Sequence, residues 1–391
     1  MSDIAIFDKL TAHWESKQQL SGETTRDGHV HFHPSQNVSR FKELALDIVR
    51  QTNNNLIICA FDSVGYDYFA QAFGKHVCRI VPVTSTIPST SMSAWTSIFR
   101  GTVPAVHGIY GTAFYIPEFG NTVSFLSHSL DQDHIEAGCS KFSWLSKDAG
   151  ATLFKSVSEL GYSCSFYGLG TDLAKLSFFN QIAEGSQIIE IPDSDRLEYD
   201  LKEYVKYLLS IIEKVTSGKD PFCDVAFLSC ARYVADYGYD KHVTEALAFF
   251  ARKINSIKRR LQNVSILAIA DHGMIKQKPL LDIPLISDPS ILELSKYKPG
   301  GAGRILFFYP KEENFSSMWS LLQTKINKSG KLYSREQYIQ QYYNCAVYQQ
   351  ERIGEIIAIA ENEQFPSAGL HDIYEHGALT QDEMLSFISL I

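Results

Sequence analysis

The run Val264-Ser265-Ile266-Leu267-Ala268-Ile269-Ala270 is almost wholly apolar and stops abruptly at Asp271-His272-Gly273. It is too short for an ordinary helix and shows no polar alternation, which suits a strand covered on both faces, as in a parallel sheet. Leu56-Ile57-Ile58-Cys59-Ala60-Phe61 does the same and ends at Asp62, and Asp224-Val225-Ala226-Phe227-Leu228-Ser229 is a third such run. Stretches with helical periodicity lie between them: Tyr66–Gly74, Ala151–Leu160, Arg196–Thr216 and residues 241–262. Strands alternating with helices predict an α/β fold, a doubly wound and mostly parallel sheet flanked by helices. In such sheets the reactive residues gather at the carboxyl ends of the strands. Asp62 and Asp271-His272 are therefore expected on one edge.

A further stretch belongs on that edge. After the β-like run Ile80–Thr84, Ile87-Pro88-Ser89-Thr90-Ser91 opens with hydroxyl residues, and Trp95, Ile98 and Phe99 then recur at helical spacing. Ser91 reads as the N-cap of a short helix, where free N–H groups and the helix dipole favour negative charge. Such a place suits a phosphate and the ionisation of a nucleophilic hydroxyl. Each piece has a plain alternative: a capped Ser/Thr loop, a strand-end Asp that caps a helix, an Asp-His-Gly turn with a surface histidine.

Composition narrows the partners. The 391 residues are 45% hydrophobic and 20% charged, with 36 basic against 44 acidic residues and a net charge of -8. That balance argues against a nucleic-acid polymer, whose binders are usually basic, but admits a small phosphorylated substrate. The seven cysteines lack CxxC spacing and read as reduced thiols. The polar N-terminus is unlike a signal peptide, and no run approaches the roughly 20 apolar residues of a membrane span. A cytoplasmic protein without a membrane partner is expected. Four parts are expected along the chain: an N-terminal helical extension over 1–50, an α/β catalytic core over 51–275, a cap or insertion over 276–365, and a return to the core over 366–391. His29, His31 and His33 would share one face of a strand, but no acid or cysteine adjoins them to complete a metal site. Residues 101–150 read as an active-site loop region with little regular structure, and the segment after Thr380 as an amphipathic helix.

Three segments together resemble the type I phosphodiesterase/nucleotide pyrophosphatase branch of the alkaline phosphatase superfamily. Pro88–Gly111, PSTSMSAWTSIFRGTVPAVHGIYG, is similar to the family's nucleophile segment. Ala268–Met274, AIADHGM, is similar to its Ser-Asp-His-Gly-Met. Glu375–Leu385, EHGALTQDEML, is similar to its closing His-Gly-Gly-Leu-Thr segment. The resemblance implies Ser91 as nucleophile, with Thr90 a neighbouring candidate. It implies Asp62, Ser91, Asp271 and His272 as residues of one metal site, and His376 as a ligand of a second metal. Ser63 stands after Asp62 where the family usually has glycine.

One departure bears on the metal count. The family carries Asp-x-x-x-His after the strand that here ends at Ser229. This chain has Arg232 and Asp236 there, or Asp236 and Asp240 if shifted by four, and His242 is off spacing. Either Asp236 and His376 hold an altered second metal, or Arg232 supplies the positive charge at the phosphoryl oxygens, a task its guanidinium suits. The resemblance implies a metal-dependent hydrolase of phosphodiester or phosphoanhydride bonds. It would act through a phospho-Ser91 intermediate, with one or two divalent cations, Zn²⁺ foremost and Mn²⁺ or Mg²⁺ as alternatives. The alternatives are a phosphoryl- or sulfuryl-type transferase on the same site, or a catalytically dead binding protein. His107 and Tyr110 read as structural before they read as pocket residues.

Overall fold

The computed structural model describes residues 2–14, 16–24, 30–32, 36–125, 142–170, 177–215, 221–278, 281, 283–366 and 372–391. A short ribbon, β1 (Ser21–Thr24) and β2 (Val30–Phe32), comes first. The core then opens with β3 (Asn55–Asp62) and β4 (Arg79–Thr84), and the helix Ser91–Arg100 follows them. A hairpin of β5 (Ala113–Ile116) and β6 (Asn121–Ser124) leads to β7 (Ser163–Leu169), β8 (Gln187–Glu190), β9 (Phe222–Ser229) and β10 (Val264–Ala270). Beyond the short β11 (Ile275–Lys276) lie β12 (Ser295–Ala302), β13 (Ile305–Pro310), β14 (Gly330–Ser334) and β15 (Ile356–Ala360). The chain closes with β16 (Tyr374–Glu375) and β17 (Leu385–Leu390).

The central sheet has seven strands in the order β4-β17-β10-β3-β9-β7-β8. β10, β3, β9, β7 and β8 pair in parallel, and β17 runs antiparallel between β10 and β4. This is the expected doubly wound sheet. β3 shows why its strands are apolar throughout: Leu56, Ile58 and Ala60 enter one core, while Ile57, Cys59 and Phe61 enter the other. Helices Phe41–Thr52 and Ser91–Arg100 contribute to the first core, and Tyr66–Phe73, Leu201–Val215 and Lys241–Lys258 to the second. Burial on both faces is what removes the polar alternation.

A second, antiparallel sheet has the order β14-β15-β13-β12-β5-β6. Its strands come from two separated stretches, so part of the region expected to be irregular is a regular hairpin. Its alternating buried pattern, Phe114 and Ile116 inward, pays off only against β12, about 180 residues later in sequence. The expected C-terminal helix is four residues long, Gln381–Met384, and gives way to β17. All six residues of β17, LSFISL, are buried, and its pairing between β10 and β4 overrides the helical reading. Of the three N-terminal histidines, His29 and His33 lie outside the described residues. His31 sits on β2, bridged to Thr380.

Candidate active site

Four chain segments meet at the carboxyl edge of the central sheet. β3 delivers Asp62, β10 delivers Asp271-His272, the loop after β4 delivers Ser89-Thr90-Ser91, and the turn after β16 delivers His376. Ser91 is the first residue of the helix Ser91–Arg100, which Gly101 closes in the left-handed conformation at φ 71°. Beyond Ser91 the helix is buried throughout, so its start is fixed by packing. Ser91 itself is half-buried.

The Ser91 hydroxyl lies 3.3 Å from Asp62 Oδ1 and 3.2 Å from His272 Nε2. His272 Nδ1 donates to the Gly273 carbonyl at 2.9 Å, which assigns the proton to Nδ1 and leaves Nε2 with a bare lone pair. Asp271 Oδ1 accepts from the Ser63 and His272 amides at 3.0 and 2.8 Å. Its Oδ2 is buried with no hydrogen-bond donor and sits 3.3 Å from His272 Nε2. Two lone-pair atoms thus face each other in a dry site, an arrangement that a cation between them would reconcile. One ligand atom each from Asp62, Asp271 and His272 lies within 4.8 Å of the others. Two carboxylates and an imidazole in that space are a fitting donor set for a divalent metal.

The electrostatics agree. Burial raises the Asp62 carboxyl, and the Ser63 hydroxyl partly offsets this. Burial, followed by the charge of Asp62, pushes Asp271 well above the carboxylate range. Burial and the neighbouring His376 hold His272 far below its ordinary value, in the neutral form that binds metals.

His376 joins this group. Its ring lies 4.1 Å from that of His272, centroid to centroid, and its Nδ1 donates to the Ser89 carbonyl at 2.9 Å. Ser89 also accepts from Gly377 N–H and donates to the Ala378 carbonyl, pinning the His376 turn to the Ser91 loop. Thr90 is fully buried and its hydroxyl has no hydrogen-bond partner, so of the two neighbours it is Ser91 that faces the acids. The helix Ala231–Tyr237 carries the remaining candidates. Arg232 is exposed with Nη1 3.9 Å from Glu198, and Asp236 accepts from the Tyr199 hydroxyl at 2.7 Å. Asp240 caps the next helix and binds His242 at 2.8 Å. His107 is buried against Ser97, held down to about 3 by desolvation, and Tyr110 donates to the Tyr348 carbonyl. Both hold structure together. Ser89 and Tyr239 are site residues that sequence reasoning did not single out, since each acts on backbone groups that only the fold brings near.

Residues 61–176 match the sequence model of the family described as type I phosphodiesterase / nucleotide pyrophosphatase. The matched stretch, which holds Asp62 and Ser91, is similar to phosphodiesterase-type hydrolases. No curated protein matches its sequence. Solved structures similar to this chain include murine ectonucleotide pyrophosphatase / phosphodiesterase 5, at 17% identity and TM-score 0.60, over 86% of this chain and 87% of that one. An inactive form of that murine protein has been solved in complex with AMP and matches at 16% identity and TM-score 0.60, over 86% of this chain and 87% of that one. Phosphonoacetate hydrolase from Sinorhizobium meliloti 1021, in complex with phosphonoacetate, is similar at 15% identity and TM-score 0.57, over 95% of this chain and 93% of that one. At these identities the structures speak for the fold. No helix among the described residues is long and apolar enough to cross a membrane.

Proposed function

We propose that this protein is a hydrolase that cleaves phosphodiester or phosphoanhydride bonds of small, nucleotide-like substrates, with Ser91 as nucleophile. The observation that carries the reading is the position of the Ser91 hydroxyl. It opens a buried helix and stands 3.3 Å from Asp62 Oδ1 and 3.2 Å from His272 Nε2. Asp62, Asp271 and His272 would hold one divalent cation, which when bound supplies a Lewis acid beside the reacting phosphoryl group.

The chain's own residues account for the rest. Asp62 and His272 orient the Ser91 oxygen, and Asp62 Oδ1 is within reach of its proton. Unpaired N–H groups in the first helical turn favour the charge that grows on the non-bridging oxygens. Ser91 Oγ forms a bond to phosphorus while the bond to the leaving oxygen breaks, and solvent protonates that oxygen. Water then cleaves the phosphoserine, returning the hydroxyl. His376, anchored through Ser89, faces the same space.

A single-metal site is favoured because Arg232 and Asp236 are engaged with Glu198 and Tyr199. Ser91→Ala tests the nucleophile against bis(p-nitrophenyl) phosphate and p-nitrophenyl phosphate. Turnover is expected to fall at least 1,000-fold, on the order of what removing a catalytic nucleophile costs, with metal content unchanged. Full activity in the variant refutes the assignment.

A further inference from the structure

We infer that Tyr239 is a positioning residue for the metal-ligand set, its one hydroxyl tying together the two loops that carry Asp62 and Asp271-His272. This rests on the metal reading above. Tyr239 Oη donates to the Ser63 carbonyl at 2.6 Å and accepts from the Met274 amide at 3.0 Å. Ser63 directly follows Asp62, and Met274 lies two residues beyond His272. A phenol hydroxyl has one proton to give, so the donor capacity is fully used here.

Ser63 explains why a tie is needed. Its φ is 61°, a region that residues other than glycine seldom adopt. Three bonds hold it there. Its amide donates to Asp271 Oδ1 at 3.0 Å, its hydroxyl to Asp62 Oδ1 at 2.9 Å, and its carbonyl accepts from Tyr239. Two of the three bonds thus end on ligand carboxylates. Releasing the third would let Ser63 turn and carry both carboxylates with it.

The Tyr239 ring is itself fixed. It stacks on Tyr68 at 3.8 Å between centroids and 15° between planes, and Tyr374 meets it edge-on at 5.6 Å. Gly238, at φ 77°, makes room for this. A Cβ there would come within 2.4 Å of the Tyr374 ring. Burial keeps the phenol protonated, so it remains a donor.

The experiment is a Zn²⁺ titration of the full chain against a chromogenic competing chelator. It compares wild type, Tyr239→Phe, Asp271→Ala and Leu208→Ala, with a melting curve for each. Leu208 is buried in the helix Leu201–Val215 and reports simple destabilisation. Tyr239→Phe keeps the ring stack and removes only the hydroxyl. Its Zn²⁺ affinity is expected to fall about 10- to 100-fold, as for other outer partners of metal ligands. Leu208→Ala is expected to melt lower yet bind Zn²⁺ within about two-fold of wild type, because the folded site is unchanged. Tyr239→Phe binding as tightly as wild type overturns the inference. Wild type and Asp271→Ala binding alike overturns the metal reading, and this inference with it. Should Tyr239→Phe fail to fold, Tyr68→Ala removes the ring on which Tyr239 stacks and loosens the tyrosine with its hydroxyl intact. Weaker Zn²⁺ binding supports the positioning role and unchanged binding overturns it.

Discussion

Asp271→Asn should stabilise the metal-free protein while abolishing metal binding. Asp62 and Asp271 are both buried, with ligand atoms no more than 4.8 Å apart. Two like charges at that separation repel by about 3.5 kcal/mol at an effective dielectric constant of about 20. Asparagine removes one charge and keeps Oδ1 as acceptor for the Ser63 and His272 amides. Its amide nitrogen, in the place of the orphaned Oδ2, gains His272 Nε2 at 3.3 Å as an acceptor. For a chain of 391 residues an unfolding entropy of about 0.8 kcal/mol/K converts 3.5 kcal/mol into about 4 °C. The sign depends on pH. A carboxyl raised by folding holds its proton more tightly in the folded chain, so its stability is present below 3.8 and lost as pH rises through the raised value. The variant's advantage therefore belongs at pH 8 and closes toward pH 4. The assay is thermal melting with chelator or Zn²⁺ at both pH values. The expected result is a chelated variant melting about 4 °C above chelated wild type at pH 8, with Zn²⁺ raising only wild type. A variant that melts lower in chelator, or that gains as much from Zn²⁺ as wild type, refutes the reasoning.

Other expectations can be checked alongside. Elemental analysis should find one divalent ion per chain in both wild type and Asp236→Ala, and a second ion lost in Asp236→Ala would restore the two-metal reading. Asp224 on β9 is buried and pushed up to about 6 by desolvation, with Ser165 N–H bound to its Oδ1. Wild type should therefore lose stability between pH 3.8 and about 6 by up to about 3 kcal/mol, and Asp224→Asn should remove that slope in pH-dependent urea melts.

The parts legible in sequence are those whose chemistry is local. β3, β9 and β10 announced themselves because burial on both faces leaves room for few polar residues. Ser91, Asp62, Asp271 and His272 were legible because strand ends and helix starts lie next to them in sequence. The β5–β6 hairpin was not, since its partner β12 is remote and four-residue strands carry little periodicity. β17 was misread as helix because four residues of Gln381–Met384, with a full Thr380–Glu383 capping box, give a true helix signal before the strand begins. Ser89 and Tyr239 were invisible for a different reason. Each works by bonding a backbone group of a segment distant in sequence, and no residue pattern encodes that.

The segment between β9 and the helix Lys241–Lys258 joins these threads. In the related family it supplies the Asp and His of a second metal. Here Arg232 and Asp236 face Glu198 and Tyr199, while the loop that follows sends Tyr239 back under the first site. A segment that would otherwise ligate thus braces. The brace acts where this chain also departs from the family, at Ser63, which takes a glycine-like backbone angle and bonds both ligand carboxylates. Glycine could reach that angle without support but could not bond Asp62 through a side chain. Serine can, provided that something holds its carbonyl, and Tyr239 does. On this reading the two departures are one adaptation: a site that relies on a single cation gains from having its two carboxylates fixed before the cation arrives.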